Sequence, residues 1–223
     1  MATNPYSPIK SKVARMTRLD ACGAAVVGSR SSIVTSGFIK VENKAKVEAG
    51  SDFKQKNAWG EWCVNESDVS LLDRLEPAID FCRVDPDMVE LATASRAIAA
   101  TASEAYATLG STIGYGLATT ASAAFALELW TKMAGGACGS GGDPLWIYSV
   151  WPWLYDGMVG DTTYENGPVT FPITNLKTMG APASWEAGPY GDLTVEVAAG
   201  EPFAQYVTDV QPPAVTAGAV ALA

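Results

Sequence analysis

The sequence LEPAIDFCRVDPDMVELA, residues 75–92, contains the two kinds of secondary structure that we expect in this protein. In its first half, the apolar residues Ile79 and Phe81 lie on either side of Asp80. An alternation with a period of two residues is typical of a strand that is buried on one face. We therefore predict a strand over residues 75–83.

The second half of this stretch carries the signals of a helix N-terminus. Asp85 can accept a hydrogen bond from the first turn, and Pro86 suits the first helical position. Asp87 adds the negative charge that the helix dipole favours there, and Met88 begins an apolar face. Two aspartates this close can also bind a metal ion, but helix capping accounts for both. We predict one helix and no metal site.

The composition excludes several classes of function. The chain has 223 residues, no histidine and a net charge of −9. Without histidine there is no Ser-His-Asp triad, no Cys-His dyad and no imidazole metal ligand. The acidic balance argues against a protein that grips duplex DNA. Charged residues make up only 17% of the chain, so we expect some of its surface to be buried against partners.

The cysteines indicate neither disulfides nor zinc. The N-terminus has no apolar segment of a signal peptide, so we expect a reducing cytosol, in which thiols stay free. No two cysteines form a CxxC pair, the usual zinc-binding spacing. From the composition, the motifs and the lack of a long apolar segment together, we expect no catalytic residues, no cofactor and no membrane anchor. The four cysteines are Cys22, Cys63, Cys82 and Cys138.

Residues 38–62 are predicted to form a long hairpin that projects from the body. The middle of this segment has too few apolar residues to lie in a core. Its charged side chains are candidates for contacts between copies, although they can equally be solvated residues that guard strand edges against aggregation. The candidates are Lys40, Lys44, Lys46, Glu48, Lys54 and Lys56.

Charge is distributed unevenly along the chain. Residues 1–60 have a net charge of +6, and residues 61–223 have a net charge of −15. One interpretation is a solvated basic arm. The other is a bipolar subunit, in which the basic part of one copy docks on the acidic body of the next. Such a head-to-tail contact builds rings or filaments.

Five aromatic residues are concentrated in residues 146–155. Packing in the core or at a subunit interface is the first interpretation, and a sugar-binding platform is the second. Stacking on nucleotides is disfavoured, because no basic residue lies between residues 133 and 176. The five are Trp146, Tyr148, Trp151, Trp153 and Tyr155.

Other segments are less specific. Residues 125–133 are predicted to form a strand, the glycine-rich residues 135–142 a loop, and residues 95–122 either helix or strand. Residues 1–19 are predicted to form an extended basic arm. The small apolar residues 212–223 are predicted to be a loose tail or a strip laid on a neighbouring copy.

Several segments, taken in order, resemble the major tail protein family of long-tailed bacteriophages, chiefly those that infect actinobacteria. No segment is specific alone, and the ordered set carries the resemblance. The segments are TRLDACG (17–23), SGFIKV (36–41), NAWGEWC (57–63), IDFCRVDPD (79–87), FALELWTK (125–132) and the small-residue tail after Pro212-Pro213.

The resemblance implies a mainly β fold with one flanking helix: a β-sandwich or half-barrel with a projecting hairpin and extended terminal arms. We expect a single domain over residues 20–211, with the hairpin at about 38–62 and arms at 1–19 and 212–223. In this family six copies form a ring, inner sheets join into a continuous barrel, and rings stack into a hollow tube.

The function implied is that of a structural virion protein of the phage tail, made in the host bacterial cytoplasm. Its partners would be further copies of itself, the tape measure protein and tail-end proteins. Double-stranded DNA would pass through the tube without specific binding, and an acidic wall would repel its phosphates. The alternatives are a head decoration or tail terminator protein, a carbohydrate-binding or host-binding module, and, least supported, a carboxylate-based hydrolase.

Overall fold

The computed structural model describes residues 7–103, 105, 107–117, 122–134, 138–139, 141–164, 166–182, 185–188 and 191–222. Within these residues the fold is mainly β, with a single α-helix, α1 (Pro86–Thr93). The strands are β1 (Pro8–Arg18), β2 (Gly28–Thr35), β3 (Phe38–Glu48), β4 (Asp52–Lys56), β5 (Trp62–Ser67), β6 (Leu71–Phe81), β7 (Arg96–Ala99), β8 (Thr112–Gly116), β9 (Ala124–Met133), β10 (Trp146–Tyr155), β11 (Met158–Val159), β12 (Phe171–Thr174), β13 (Lys177–Met179), β14 (Trp185–Gly188), β15 (Gly191–Val197), β16 (Ala204–Thr208) and β17 (Val220–Leu222).

Two antiparallel sheets form the body. The large sheet has the strand order β13-β10-β9-β1-β2-β17, and β16 also pairs with β10. The small sheet has the order β11-β12-β6-β3. Their facing side chains, such as Phe125 and Leu127 from the large sheet and Ile79 and Phe171 from the small one, form one core. This is the arrangement of a β-sandwich, in which inward side chains of both sheets interdigitate.

The helix begins where the sequence predicts. The Asp85 carboxylate accepts a hydrogen bond from the Asp87 N–H at 3.0 Å, and Pro86 occupies the first turn. Met88 and Leu91 are fully buried in the core between the sheets. Arg30 of β2 contacts Asp87 at 2.8 Å and so attaches the helix to the large sheet. The cap at Asp85 is the one that the sequence predicts, whereas the ion pair of Asp87 with Arg30 was not predicted.

Residues 8–18, predicted as part of a separate arm, form β1 in the interior of the large sheet. β1 pairs with β9 on one side and, from Ala14 to Thr17, with β2 on the other. Ala14 and Met16 are buried, and Arg15 pairs with the buried Glu128. The basic residues make this strand look exposed in the sequence, because the sequence does not show that Arg15 has a partner inside the fold. Residues 1–6 lie outside the described part.

The C-terminal segment lies on its own chain. The N–H of Thr216 donates to Val34 O at 3.0 Å, and β17 pairs with β2. The N–H of Ala219 donates to the Asp87 carboxylate at 3.0 Å. This segment therefore covers the outer edge of β2 rather than hanging loose, because its small residues let the backbone approach that edge closely.

The region that the sequence left open, residues 95–122, contains two strands and no helix among its described residues. β7 pairs with β8, and both strands lie next to the helix. Residues 104, 106 and 118–121 lie outside the described residues, as do residues 135–137 and 140 of the predicted glycine-rich loop. The strand predicted over 125–133 is present as β9. No helix among the described residues is long and apolar enough to cross a membrane.

Candidate assembly interface

A two-stranded ribbon, residues 38–81, leaves the body. β3 pairs with β6 from Phe38 opposite Phe81 out to Glu48 opposite Leu71. A second hairpin, β4 with β5, continues beyond this pair. The ribbon therefore extends further along the sequence than the predicted hairpin of residues 38–62. Close to the body, apolar residues of β3 and β6 lie opposite each other, as Val41 does with Ile79. Matching of this kind favours one register of a strand pair.

The inner part of the ribbon has one apolar and one charged face. Val41 lies opposite the fully buried Ile79, and Ala45 lies opposite Leu75, so the apolar face continues outward from the core. The positions next to these apolar residues face the other way and carry charges. The charged cross-strand pairs are Lys40 with Asp80, Lys44 with Glu76, and Lys46 with Arg74.

The outer end of the ribbon, residues 49–70, is called the tip. Its turn is held by Asn57, whose side-chain oxygen accepts hydrogen bonds from the N–H groups of Trp59 and Glu61, each at 2.9 Å. The Asn57 amide also donates to the Glu61 carboxylate at 2.9 Å. Gly60 has a φ of +83°, which glycine adopts without strain. These bonds fix the turn that presents Trp59, whose side chain is 90% exposed.

The ribbon exposes an unusual amount of apolar surface. Single exposed apolar residues are normal, but a concentration of large ones in one part of a fold is a feature of surfaces that contact another molecule. Tryptophan in particular is enriched among the residues that dominate binding energy at interfaces. The sequence analysis did not identify this group, because it considered only the charged side chains of the segment. The exposed large apolar residues of the ribbon are Ile39, Val47, Phe53, Trp59, Trp62, Val64, Val69, Leu71 and Leu72.

All six charged residues predicted for this surface lie on the ribbon and are exposed: Lys40, Lys44, Lys46 and Glu48 on β3, and Lys54 and Lys56 on β4. Several have partners within the chain. Lys40 lies 3.3 Å from Glu42 and from Asp80, and its hydrogen bonds to Glu42 and then Asp80 raise the pKa of its ammonium group.

The outer lysines also have neighbours on the ribbon. Lys54 lies 2.8 Å from Asp52, and the hydrogen bonds from Lys54 and then Ser67 lower the pKa of that carboxyl group. Lys56 lies over the Trp62 ring, 4.4 Å from its centre. Partners of this kind at exposed positions contribute little to stability.

The ribbon as a whole is acidic. Residues 38–81 contain six basic and nine acidic residues, a net charge of −3. The sequence interpretation of a basic hairpin counted β3 and β4 but left out the acidic return strand β6. The ribbon is therefore not the basic partner that a charge attraction to the acidic body requires. Its exposed apolar side chains are better candidates for contacts with another copy.

The aromatic residues of 146–155 lie on β10, within the large sheet. Tyr148 and Trp151 are buried, and the other three are half-buried. Tyr148 packs edge-on against Trp130 with 5.0 Å between ring centres, and Trp151 lies 4.9 Å from Phe203. A sugar platform needs exposed ring faces, so this packing favours a structural role. The half-buried residues are Trp146, Trp153 and Tyr155.

An ion pair is buried beside these rings. Arg15 donates to the two oxygens of Glu128 at 2.6 and 2.9 Å, and the Tyr148 hydroxyl donates to the same carboxylate at 2.5 Å. Glu128 is only 1% exposed. Nearly every side chain of β9 is buried, so both faces of this strand are covered and Glu128 lies inside the fold. The group links β1, β9 and β10 through their side chains.

The described residues include no group of three or more His, Cys, Asp or Glu side chains that could hold a metal ion. Cys22, Cys63 and Cys82 are exposed free thiols, and Cys138 is exposed as well. No model of a known protein family matches this chain, and no curated protein matches its sequence.

Proposed function

We propose that this protein is a structural subunit of a bacteriophage tail tube, which assembles into stacked rings around a channel for DNA. The observation that carries the proposal is the ribbon, which exposes nine large apolar side chains at the end of a folded body. A monomer gains nothing by holding these side chains in water, whereas association removes them from it. The sequence resemblance supplies the kind of assembly, including six copies in each ring.

The sheets offer a second argument for assembly. Within the described residues, β3 is an outer strand of the small sheet and β13 an outer strand of the large one. Open strand edges favour pairing with another chain, and closing sheets into a barrel removes them. Joining sheets between copies would create such a wall. We propose that acidic side chains line it, so that DNA passes without being held.

Negative-stain electron microscopy tests this proposal. The purified protein is imaged over a series of protein and salt concentrations. Hollow tubes or stacked rings are expected, and their end views give the number of copies per ring. Closed rings that never stack would favour the tail terminator alternative. Monomers under every condition would contradict self-assembly by this chain.

A charge reversal tests whether the lysines in the middle of the ribbon contribute. In the double variant Lys44→Glu, Lys46→Glu, position 44 carries a negative charge opposite Glu76. Position 46 carries a negative charge opposite Arg74, where the natural chain has two positive charges facing each other. If these lysines contact a neighbouring copy, tube assembly and its salt dependence change, because complementary charge controls both. Unchanged assembly with unchanged salt dependence would remove them from the interface.

A further inference from the structure

A groove lies at the base of the ribbon, between the first half of β1 and the beginning of β3. It encloses about 590 Å³. Ile9, Phe38 and Leu129 contribute apolar lining, and Lys10 and Lys12 lie along one side. The groove opens at the corner where the chain leaves the large sheet after β2 and enters the small sheet as β3.

This groove has an excess of unpaired positive charge. Lys10 lies directly opposite Lys132 on β9, and like charges in that position repel each other. Within the described part of the chain, Lys10, Lys12 and Lys132 have no carboxylate within 4 Å, whereas Lys40 across the groove is paired with Glu42 and Asp80. An acidic partner in the groove would relieve the repulsion.

Two strand edges border the groove. β2 pairs with β1 only from Ala14 to Thr17, so residues 8–13 have a strand on one side only, among the residues described. β3 likewise pairs only with β6. Their outward N–H and C=O groups can hydrogen-bond to a segment that enters the groove, as an exposed sheet edge does in strand addition.

The tip of the ribbon has the complementary properties. Residues 49–70 contain four acidic and two basic residues, a net charge of −2. Glu66 and Asp68 are exposed on and beside β5. Trp59 and Phe53 are exposed apolar anchors of a size that suits a groove, and the hydrogen-bonded turn fixes Trp59 before any contact forms. A preorganised anchor loses little entropy on binding.

The tip of a chain does not occupy the groove of the same chain. No residue of the tip, which is described throughout, lines the groove, and Trp59 is 90% exposed. The occupant we consider is therefore the tip of another copy, and the fifteen residue steps from Val41, beside the groove, to Lys56 give the ribbon a reach of up to about 50 Å at about 3.3 Å per residue. Because groove and tip are different surfaces, the contact is head-to-tail and continues from copy to copy.

We propose that the acidic, aromatic tip of each ribbon docks in the basic groove of another copy, with Trp59 as the anchor. This contact rests on the proposed function, where it joins one ring to the next. It limits the axial repeat of the tube to about 50 Å, the reach of the ribbon.

Cross-linking tests the contact directly. Cys63 already lies exposed on the tip, and Ser36→Cys places a thiol in the groove with almost no change in shape. Cys22, Cys82 and Cys138 are replaced by serine, and assembled protein is treated with a short bis-maleimide. A ladder of covalent multimers is expected, since each copy has one tip and one groove. Thr163→Cys, exposed and outside the groove, is the matched control and should give no ladder.

The outcomes separate this contact from the proposed function. A ladder from tubes supports both. Tubes that give no ladder would overturn the docking contact and leave the tube proposal standing. A ladder from Thr163→Cys equal to that from Ser36→Cys would show random collision and would also overturn it. Without tubes or rings in microscopy, the tube proposal fails on its own evidence.

A charge exchange provides an independent test. Lys10→Glu with Lys12→Glu should raise the protein concentration needed for assembly about tenfold or more, because acid then faces acid. Adding Glu66→Lys with Asp68→Lys to the same chain should restore much of the loss. A loss without restoration would overturn the pairing of these two surfaces.

Discussion

The body and the ribbon use the same kind of strand in opposite ways. In the body, β9 is covered on both faces, and even Glu128 is buried with its own counterion. In the ribbon, β3 is exposed over nearly its whole length, and apolar side chains such as Val47 and Trp62 face water. The strands of the body thus have their contacts within one chain, whereas the ribbon leaves large apolar side chains exposed there.

This comparison predicts that a core substitution in the body has the largest effect on folding. Phe125 is fully buried between the sheets. Phe125→Ala should lower the free energy of unfolding by about 3–5 kcal/mol, from lost burial and the cavity left behind. Urea denaturation followed by tryptophan fluorescence measures the change. A loss below about 1 kcal/mol would contradict the described core.

The next effect is expected at the buried ion pair. Glu128→Ala leaves Arg15, whose side chain is 15% exposed, without this partner. The free energy of unfolding should fall by about 2–4 kcal/mol, somewhat less than for a fully buried pair. Replacing the group by apolar residues, with Arg15→Met, Glu128→Leu and Tyr148→Phe, should recover most of the loss. No recovery would mean that the charges themselves are required.

A smaller effect is expected at the helix cap. Asp85→Ala should lower the free energy of unfolding by about 1 kcal/mol, since the first-turn N–H of Asp87 loses its acceptor. Burial raises the pKa of the Asp85 carboxyl group. A raised pKa in the folded state favours folding below the unfolded pKa, and this contribution is lost as pH rises through the folded value.

Asp85→Asn separates capping from charge. Asparagine caps as well as aspartate but does not titrate. Relative to the natural chain, this variant should therefore gain stability as pH rises from about 3 to 7. Urea midpoints over this range measure the difference. A difference that stays constant or falls with pH would contradict a raised pKa of this half-buried carboxyl group.

The smallest effect on folding is expected at Trp59. Its side chain is 90% exposed at the tip of the ribbon. Trp59→Ala should change the free energy of unfolding by no more than about 0.5 kcal/mol, because it removes no internal packing. The same variant should abolish tube assembly, as seen by sedimentation and microscopy. Tyr164→Ala, which removes an 80% exposed aromatic outside the ribbon, should leave both unchanged.

If Trp59→Ala destabilised the monomer as strongly as Phe125→Ala, the distinction between ribbon and body would be wrong. If it left assembly intact, the anchor would lie elsewhere among the exposed apolar side chains of the ribbon.

The sequence by itself determined the local features of this protein. Capping residues and proline indicated the start of α1, alternation indicated β6 and β9, and the scarcity of apolar residues indicated that the middle of residues 38–62 lies outside a core. These features depend on neighbours a few residues apart, so a short stretch contains the information.

Only the tertiary structure decided which strands pair and what they cover. It paired β3 with β6, placed β1 inside the large sheet, laid the C-terminal segment on β2, and gave the buried Glu128 a partner 113 residues away in the chain. A strand looks the same locally whether its partner is near or distant. The pairing is selected by how much apolar surface the whole fold buries. In a single chain, the apolar side chains of the ribbon stay exposed.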